Sequence, residues 1–469
     1  MRRVPDVRPP GPRTAADLPE PAPHLRPVTV ALAGVEFGWG SSGKLSAVLS
    51  ALRERAQLPL RRAQPPLRFV GLASGLGRPL LAEHAVDCWY DLPESAAERR
   101  AAVGRIVRSH GVRAAVVVLD GAVASELEAA GVPTVFVDSL PFMWTEGDRG
   151  ALPLDATVYC AQKYPGVSLE REREGVLASV SSLRWVEAVI GTPPDGSPAL
   201  RSPAPRPPAA RPPAPRHPDP RTPDPSESRT GGRPWRKALI SLGGLRAPSL
   251  PDWTAYPRAV VPAVLDALAD HGVQEAHLAG NLPDGVLAGL VARSPAGLRV
   301  TAGPLPHSAF LTELTRCDVL LTSPGLTTLL EADRLKVPTV CLPPQNLSQI
   351  FNGRYHSRAV GTDVRVTWPE SIFGEEEALG LRAKGEDHAL ELIYGGIGHA
   401  AVRADAVQAV QADAAPPATD LRSAVLAAVR RAAQGAEWGA LAAAVGTGGA
   451  AQVADALLAT VRQAQPSTA

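Results

Sequence analysis

Cysteine is scarce and never paired in this chain. Its four cysteines, Cys88, Cys160, Cys317 and Cys341, stand far apart with no CxxC spacing and no histidine pattern beside them, so neither a zinc site nor a disulfide framework is indicated. A reducing cytoplasm is the expected location. Net charge is also nearly absent: 48 basic residues stand against 47 acidic ones, a formal +1, which gives no general drive toward nucleic acid or an anionic membrane. Binding is therefore expected at a specific site, with no nucleic-acid partner. Long apolar runs are missing as well. Ala114 to Leu119 is strand-sized, so no transmembrane segment is expected. Met1 to Pro27 carries arginine and proline without a continuous apolar stretch and reads as a disordered tail, not a secretory signal.

What is present is enough length, 469 residues, for two or three domains. Short β-branched runs alternate with amphipathic helices from Val28 onward, the pattern of a parallel α/β sheet. Strands are expected at Thr29 to Ala33, Arg68 to Leu72, Ala114 to Leu119, Thr134 to Val137 and Thr157 to Tyr159, with helices such as Leu45 to Arg55 and Glu98 to His110 between them. Residues 28–191 thus form one Rossmann-like domain. Residues 192–234 collapse into Pro, Arg, Ala and Asp, which cannot build a core and read as an extended linker. The alternation then restarts over 235–400 as a second Rossmann-like domain, and 401–469 is an Ala-rich helical extension whose docking partner the pattern leaves open.

The most informative stretch is Thr322-Ser323-Pro324-Gly325-Leu326-Thr327-Thr328-Leu329-Leu330-Glu331. A strand at Val319 to Leu321 runs into a small-residue turn that opens a helix, so free N–H groups converge where a diphosphate can sit. Glu331, about a turn and a half later, stands where a carboxylate can accept hydrogen bonds from two ribose hydroxyls. Together they suggest a nucleotide-sugar. The bland reading is an ordinary connection with Ser323 as N-cap and Pro324 at the first helical position. The next strand ends in Pro343-Pro344-Gln345-Asn346 and opens a helix carrying Gln349 and Asn352, while Ser241-Leu242-Gly243-Gly244 closes the second domain's first strand, where a simple turn is the alternative.

In the first domain, Gly38 to Lys44 satisfies G-x-x-x-x-G-K, but Leu45 stands where a P-loop needs Ser or Thr for magnesium. A glycine-rich wall facing an interdomain cleft is the better functional reading, with Glu36 and Lys44 at its edge; a turn needing glycine for geometry alone is the alternative.

These segments resemble a GT-B glycosyltransferase, two Rossmann-like domains facing across a cleft, and Pro324 to Glu331 is similar to the donor-site helix of the MurG-like branch. A narrower resemblance, carried by Phe37 to Lys44, Phe69 to Arg78 and Trp89-Tyr90-Asp91, is to cytosylglucuronic acid synthases of nucleoside-antibiotic pathways, which join cytosine to glucuronic acid from UDP-glucuronate. The Pro-rich linker and the Ala-rich C-terminus depart from that pattern and leave another acceptor open.

The resemblance implies that the second half holds a UDP-sugar as co-substrate and the first half the acceptor. Gly325, Thr327 and Thr328 would hold the diphosphate with Ser323, Gly243 and Gly244 nearby, Glu331 the ribose, backbone near Leu305 the base, and Gln345, Asn346 and Gln349 the sugar. Gly38, Gly40, Ser41 and Gly43 would face the acceptor, and a uronate carboxylate would need Lys44, Arg78 or Arg246. No DxD-like motif sits at a strand end, so metal independence is expected, the leaving UDP being stabilised by helix dipole and amides. Direct displacement would invert the anomeric centre, with Glu36 the first candidate base and Asp138 the second. His307 has two readings, a nucleotide contact or a solvent-facing cap. Two other classes compete: a non-catalytic nucleotide-sugar binder that has lost acceptor chemistry, and a UDP-sugar epimerase, which would need a set of cleft carboxylates and a histidine.

Overall fold

Strands buried on both faces read as continuous apolar runs, and Val112–Val118, with the sequence VRAAVVV, is the clearest case. The computed structural model describes residues 27–56, 65–72, 77–165, 175–193, 234–243, 252–409 and 418–464. Seven strands form the first sheet: β1 (Val28–Gly34), β2 (Leu67–Leu72), β3 (Cys88–Tyr90), β4 (Val112–Val118), β5 (Thr134–Asp138), β6 (Val158–Gln162) and β7 (Leu183–Val186). All pair in parallel, in the order β3-β2-β1-β4-β5-β6-β7. Their connections include α1 (Gly40–Ala56), α2 (Arg78–Leu81), α3 (Ala96–His110) and α4 (Gly121–Ala129). Helix α3 stops where its pattern says it should, at Gly111, whose φ of 59° suits a residue without Cβ.

The second sheet holds β8 (Lys237–Ser241), β9 (Glu275–Ala279), β10 (Arg299–Gly303), β11 (Val319–Thr322) and β12 (Thr339–Cys341), parallel in the order β10-β9-β8-β11-β12. Around it lie α5 (Ala255–His271), α6 (Asp284–Ala292), α7 (His307–Arg316), α8 (Leu326–Arg334) and α9 (Leu347–Ala359). These are two Rossmann-like parallel α/β domains. Strand order reverses between β1 and β4 in one sheet and between β8 and β11 in the other, and ligands bind at such switch points. Edge strands β3 and β7 have no counterpart in the expected strands, because short, half-exposed edges carry little period.

Helices α10 (Glu375–Gly380), α11 (Glu386–Ala409), α12 (Ala418–Ala433), α13 (Ala440–Val445) and α14 (Gly449–Gln463) close the chain. The expected start of the extension, residue 401, falls inside α11, a continuous helix. Helix α12 puts Val425 and Val429 into the second domain's core, whereas α14 crosses back, burying Val453, Leu457 and Val461 with Val48, Leu52 and Val116 of the first. Among the described residues, Ala440–Gln463 is long and apolar enough to cross a membrane by composition. It is two helices broken at Gly446, of which α14 packs its apolar side on the first sheet and α13 packs Leu441 and Val445 against α8.

The domains also grip each other beside the cleft. The segment after β5 inserts Met143 into the second domain's core, Tyr164 meets the ring of Tyr355 edge-on with centroids 4.7 Å apart, and Arg382 donates to the carbonyls of Phe142 (2.7 Å) and Met143 (3.2 Å).

Candidate functional site

The carboxyl ends of β1, β4, β8 and β11 converge on one cavity of about 170 Å³ between the domains. From the second domain it is walled by Ser241, Gly243, Leu305, His307, Ser323, Gly325, Thr327, Thr328 and Glu331, with Asn346, Gln349 and Asn352 from α9. From the first come Gly38, Gly40, Ser41, Gly43 and Lys44, joined by Phe37, Trp39, Ser139 and Leu140.

Helix α8 opens with no side chain capping its first amides. Its N-cap is Gly325, in extended backbone with no side-chain cap, so neither Ser323 nor Pro324 plays the capping role of the bland reading. The turn is held from behind: Ser323 Oγ accepts from Gln345 Nε2 (2.8 Å), and the Pro324 carbonyl accepts from Asn352 Nδ2 (3.0 Å). Gln345 thus braces the turn and does not line the cavity. Helix α9 is capped by its own Asn346, whose Oδ1 accepts from the Gln349 N–H (3.0 Å).

Glu331 is 2% exposed. Its Oε1 accepts from the Gly191 N–H (3.0 Å) and lies 2.8 Å from His307 Nε2. Burial lowers the His307 pKa, but the Glu331 charge and hydrogen bond outweigh it and the net shift is upward. His307 is therefore a buried partner of Glu331, not a solvent-facing cap. Gly191, read in the sequence only as the edge of the linker, fits here because it lacks a side chain: a Cβ would lie 2.7 Å from both His307 Cε1 and Leu311 Cδ1.

Lys44, 2% exposed, crosses the cleft and donates from Nζ to Thr327 Oγ1. Burial lowers its pKa to about 8, against an upward pull from Glu331. Leu119, which the sequence reading did not single out, forms part of the floor with a φ of 62°, a left-handed conformation that costs a branched residue energy and gathers at functional sites.

Besides Gln345, three more of the expected site residues do not line the cavity. Asp138 is fully buried and its carboxylate is taken up: Oδ1 accepts from the Leu140 N–H (2.8 Å), Oδ2 from Trp144 Nε1 (2.7 Å) and the Tyr159 hydroxyl (2.9 Å). It fixes the loop that presents Ser139 and Leu140. Glu36 sits between cavity-lining Val35 and Phe37 without lining the cavity itself, and its charge reaches Asp120. Arg78 pairs with Asp91 and lies 5.5 Å from the Trp89 ring centroid, away from the cavity. Gly244 and Arg246 lie outside the described residues. Among the cavity-lining residues, those that titrate are Lys44, His307 and Glu331.

No family model matches the chain, and no curated protein does. Solved structures resemble it at low identity. MurG of Acinetobacter baumannii is 14% identical, covering 81% of this chain and 100% of its own, with a TM-score of 0.42. The spinosyn rhamnosyltransferase SpnG, complexed with thymidine diphosphate, is 15% identical over 84% of this chain and 99% of its own, TM-score 0.46. The UDP-GlcNAc 2-epimerase of Neisseria meningitidis, bound to UDP-GlcNAc, is 10% identical over 80% of this chain and 97% of its own, TM-score 0.41.

Proposed function

We propose that the chain is an inverting, metal-independent glycosyltransferase that takes a sugar from a UDP-sugar, UDP-glucuronate by the narrower resemblance, and transfers it to a small acceptor such as cytosine. The observation that carries this reading is the uncapped start of α8 with Thr327, Thr328 and Glu331 on one cavity wall, where open amides can take a phosphate and a carboxylate can accept from sugar hydroxyls. The bond from the anomeric carbon to the β-phosphate oxygen breaks with its electron pair left on that oxygen, while the acceptor nitrogen forms the new bond and its proton passes to water. The epimerase alternative has less support, since it needs a set of cleft carboxylates and Glu331 is the single one among the described cavity-lining residues.

At about 170 Å³ the cavity is smaller than the roughly 300–1,000 Å³ of small-molecule sites, so the walls must part to admit a donor. The test is UDP release from a panel of UDP-sugars, with and without cytosine and EDTA. Cytosine-dependent release from UDP-glucuronate, unchanged by EDTA, is the expected result. Binding without turnover would favour the non-catalytic binder, and no response to any UDP-sugar would sink the glycosyltransferase reading.

A further inference from the structure

Lys44 is a buried cation of the cavity that, among the described residues, has no direct ion-pair partner. Among the described residues no carboxylate lies within ion-pair distance of Nζ, yet the side chain is almost fully buried and its partner is the neutral Thr327 hydroxyl. Charged or titratable groups around it are Glu331 and His307 across the cleft, with Glu83 and His84 behind α1, where both meet Ser46. Glu331 acts on it from a distance while committing its own hydrogen bonds to His307 and Gly191.

Buried ammonium groups without a counter-ion are costly. This one is aimed at the first turn of α8, where Thr327 carries one of the N–H groups that a helix start leaves open. From these positions we infer that Lys44 is a clamp from the first domain for a diphosphate seated on α8 of the second, so that the anion is fully held only when both domains close on it. The inference rests on the donor-site reading and changes one assignment within it: Lys44 serves the phosphates in place of a uronate carboxylate or the acceptor. No cation of the second domain lines the cavity among the described residues except His307, which Glu331 occupies.

A consequence separates this role from simple packing. Burial holds the Lys44 pKa at about 8, and a bound diphosphate raises it, so binding above pH 8 takes up a proton. Calorimetry of UDP and of inorganic pyrophosphate at pH 8.5, in two buffers of different ionisation enthalpy, reads that uptake directly. Wild type is expected to bind both with proton uptake. Lys44→Met, which removes a buried charge and so keeps or raises the melting temperature, is expected to weaken both by roughly 10- to 100-fold and abolish the uptake. Lys44→Arg, permanently charged, is expected to retain much of the affinity with no uptake from this position. Unchanged UDP affinity in Lys44→Met, or persistent uptake in that variant, overturns the clamp while leaving the nucleotide site standing. Lys44-dependent pyrophosphate binding with UDP no tighter than pyrophosphate supports the clamp and removes the nucleotide reading. Absence of binding by either ligand to wild type overturns both.

Discussion

The two walls of the cleft were built by different means. On the second-domain side every described donor residue expected from sequence except Gln345 lines the cavity, because strand, turn and helix follow one another within a dozen residues and backbone geometry makes the site. On the first-domain side the glycine-rich turn and Lys44 are in place, but the acids named for catalysis and Arg78 are not. Backbone-made sites depend on local order, whereas side-chain roles depend on partners distant in sequence.

The sharpest way to break this contrast is at Glu331, where a local motif meets two remote groups. Glu331→Ala leaves His307 buried without its carboxylate and frees the Gly191 N–H. Losing one member of a buried pair costs about 3–5 kcal/mol, so denaturant unfolding is expected to show a loss of that order. UDP binding is expected to fall with it. Retained stability with lost binding would mean that the His307 contact contributes little and that the residue serves the ligand alone.

How much could be read in advance follows the same line. The doubly wound alternation, the two-domain division and the Gly325 to Glu331 helix were legible because each repeats a local period or spacing. Asp138 looked like a base because it ends a strand, and the facts that reassign it, Trp144 and Tyr159 on the same oxygen, come from a loop and a neighbouring strand that carry no motif. His307 had a weak signal, a histidine just after Pro304-Leu305-Pro306, yet only the folded chain sets it against Glu331. Gly191 had none, since its place beside the imidazole comes from the chain leaving β7, not from its sequence neighbours.

Asp138 gives a second, somewhat smaller test. Burial raises its pKa to about 6, against the pull of its three hydrogen-bond donors. A carboxyl whose folded pKa lies above its unfolded value favours folding most below the unfolded value of 3.8, and that contribution is lost as pH rises through about 6. The full shift corresponds to about 3 kcal/mol. Wild type is therefore expected to lose stability between about pH 4 and pH 7 relative to Asp138→Asn, which lacks this titration. If Asp138→Asn instead keeps the wild-type pH dependence of stability and abolishes turnover with UDP affinity intact, the residue is a catalytic base after all and the first-domain wall was more legible than its geometry implies.

The smallest effect is expected behind α8, at Asp333. This fully buried residue of α8 accepts from the N–H groups of Gly439 (2.9 Å) and Ala442 (2.7 Å), the first turn of α13, doing for another helix what a cap residue does for its own. Helix α13 also packs Leu441 and Val445 against Leu329 and Leu330 of α8 and against Tyr164 and Ile190 of the first domain. The C-terminal segment thus braces the donor wall from outside while α14 anchors it to the other domain. Asp333→Ala is expected to cost about 1–2 kcal/mol and to raise amide exchange in residues 439–445, with UDP affinity falling by less than in Glu331→Ala. Equal losses of affinity in the two variants would show that the donor wall depends on remote support as heavily as on its own motif, and the contrast between the walls would then be one of legibility alone.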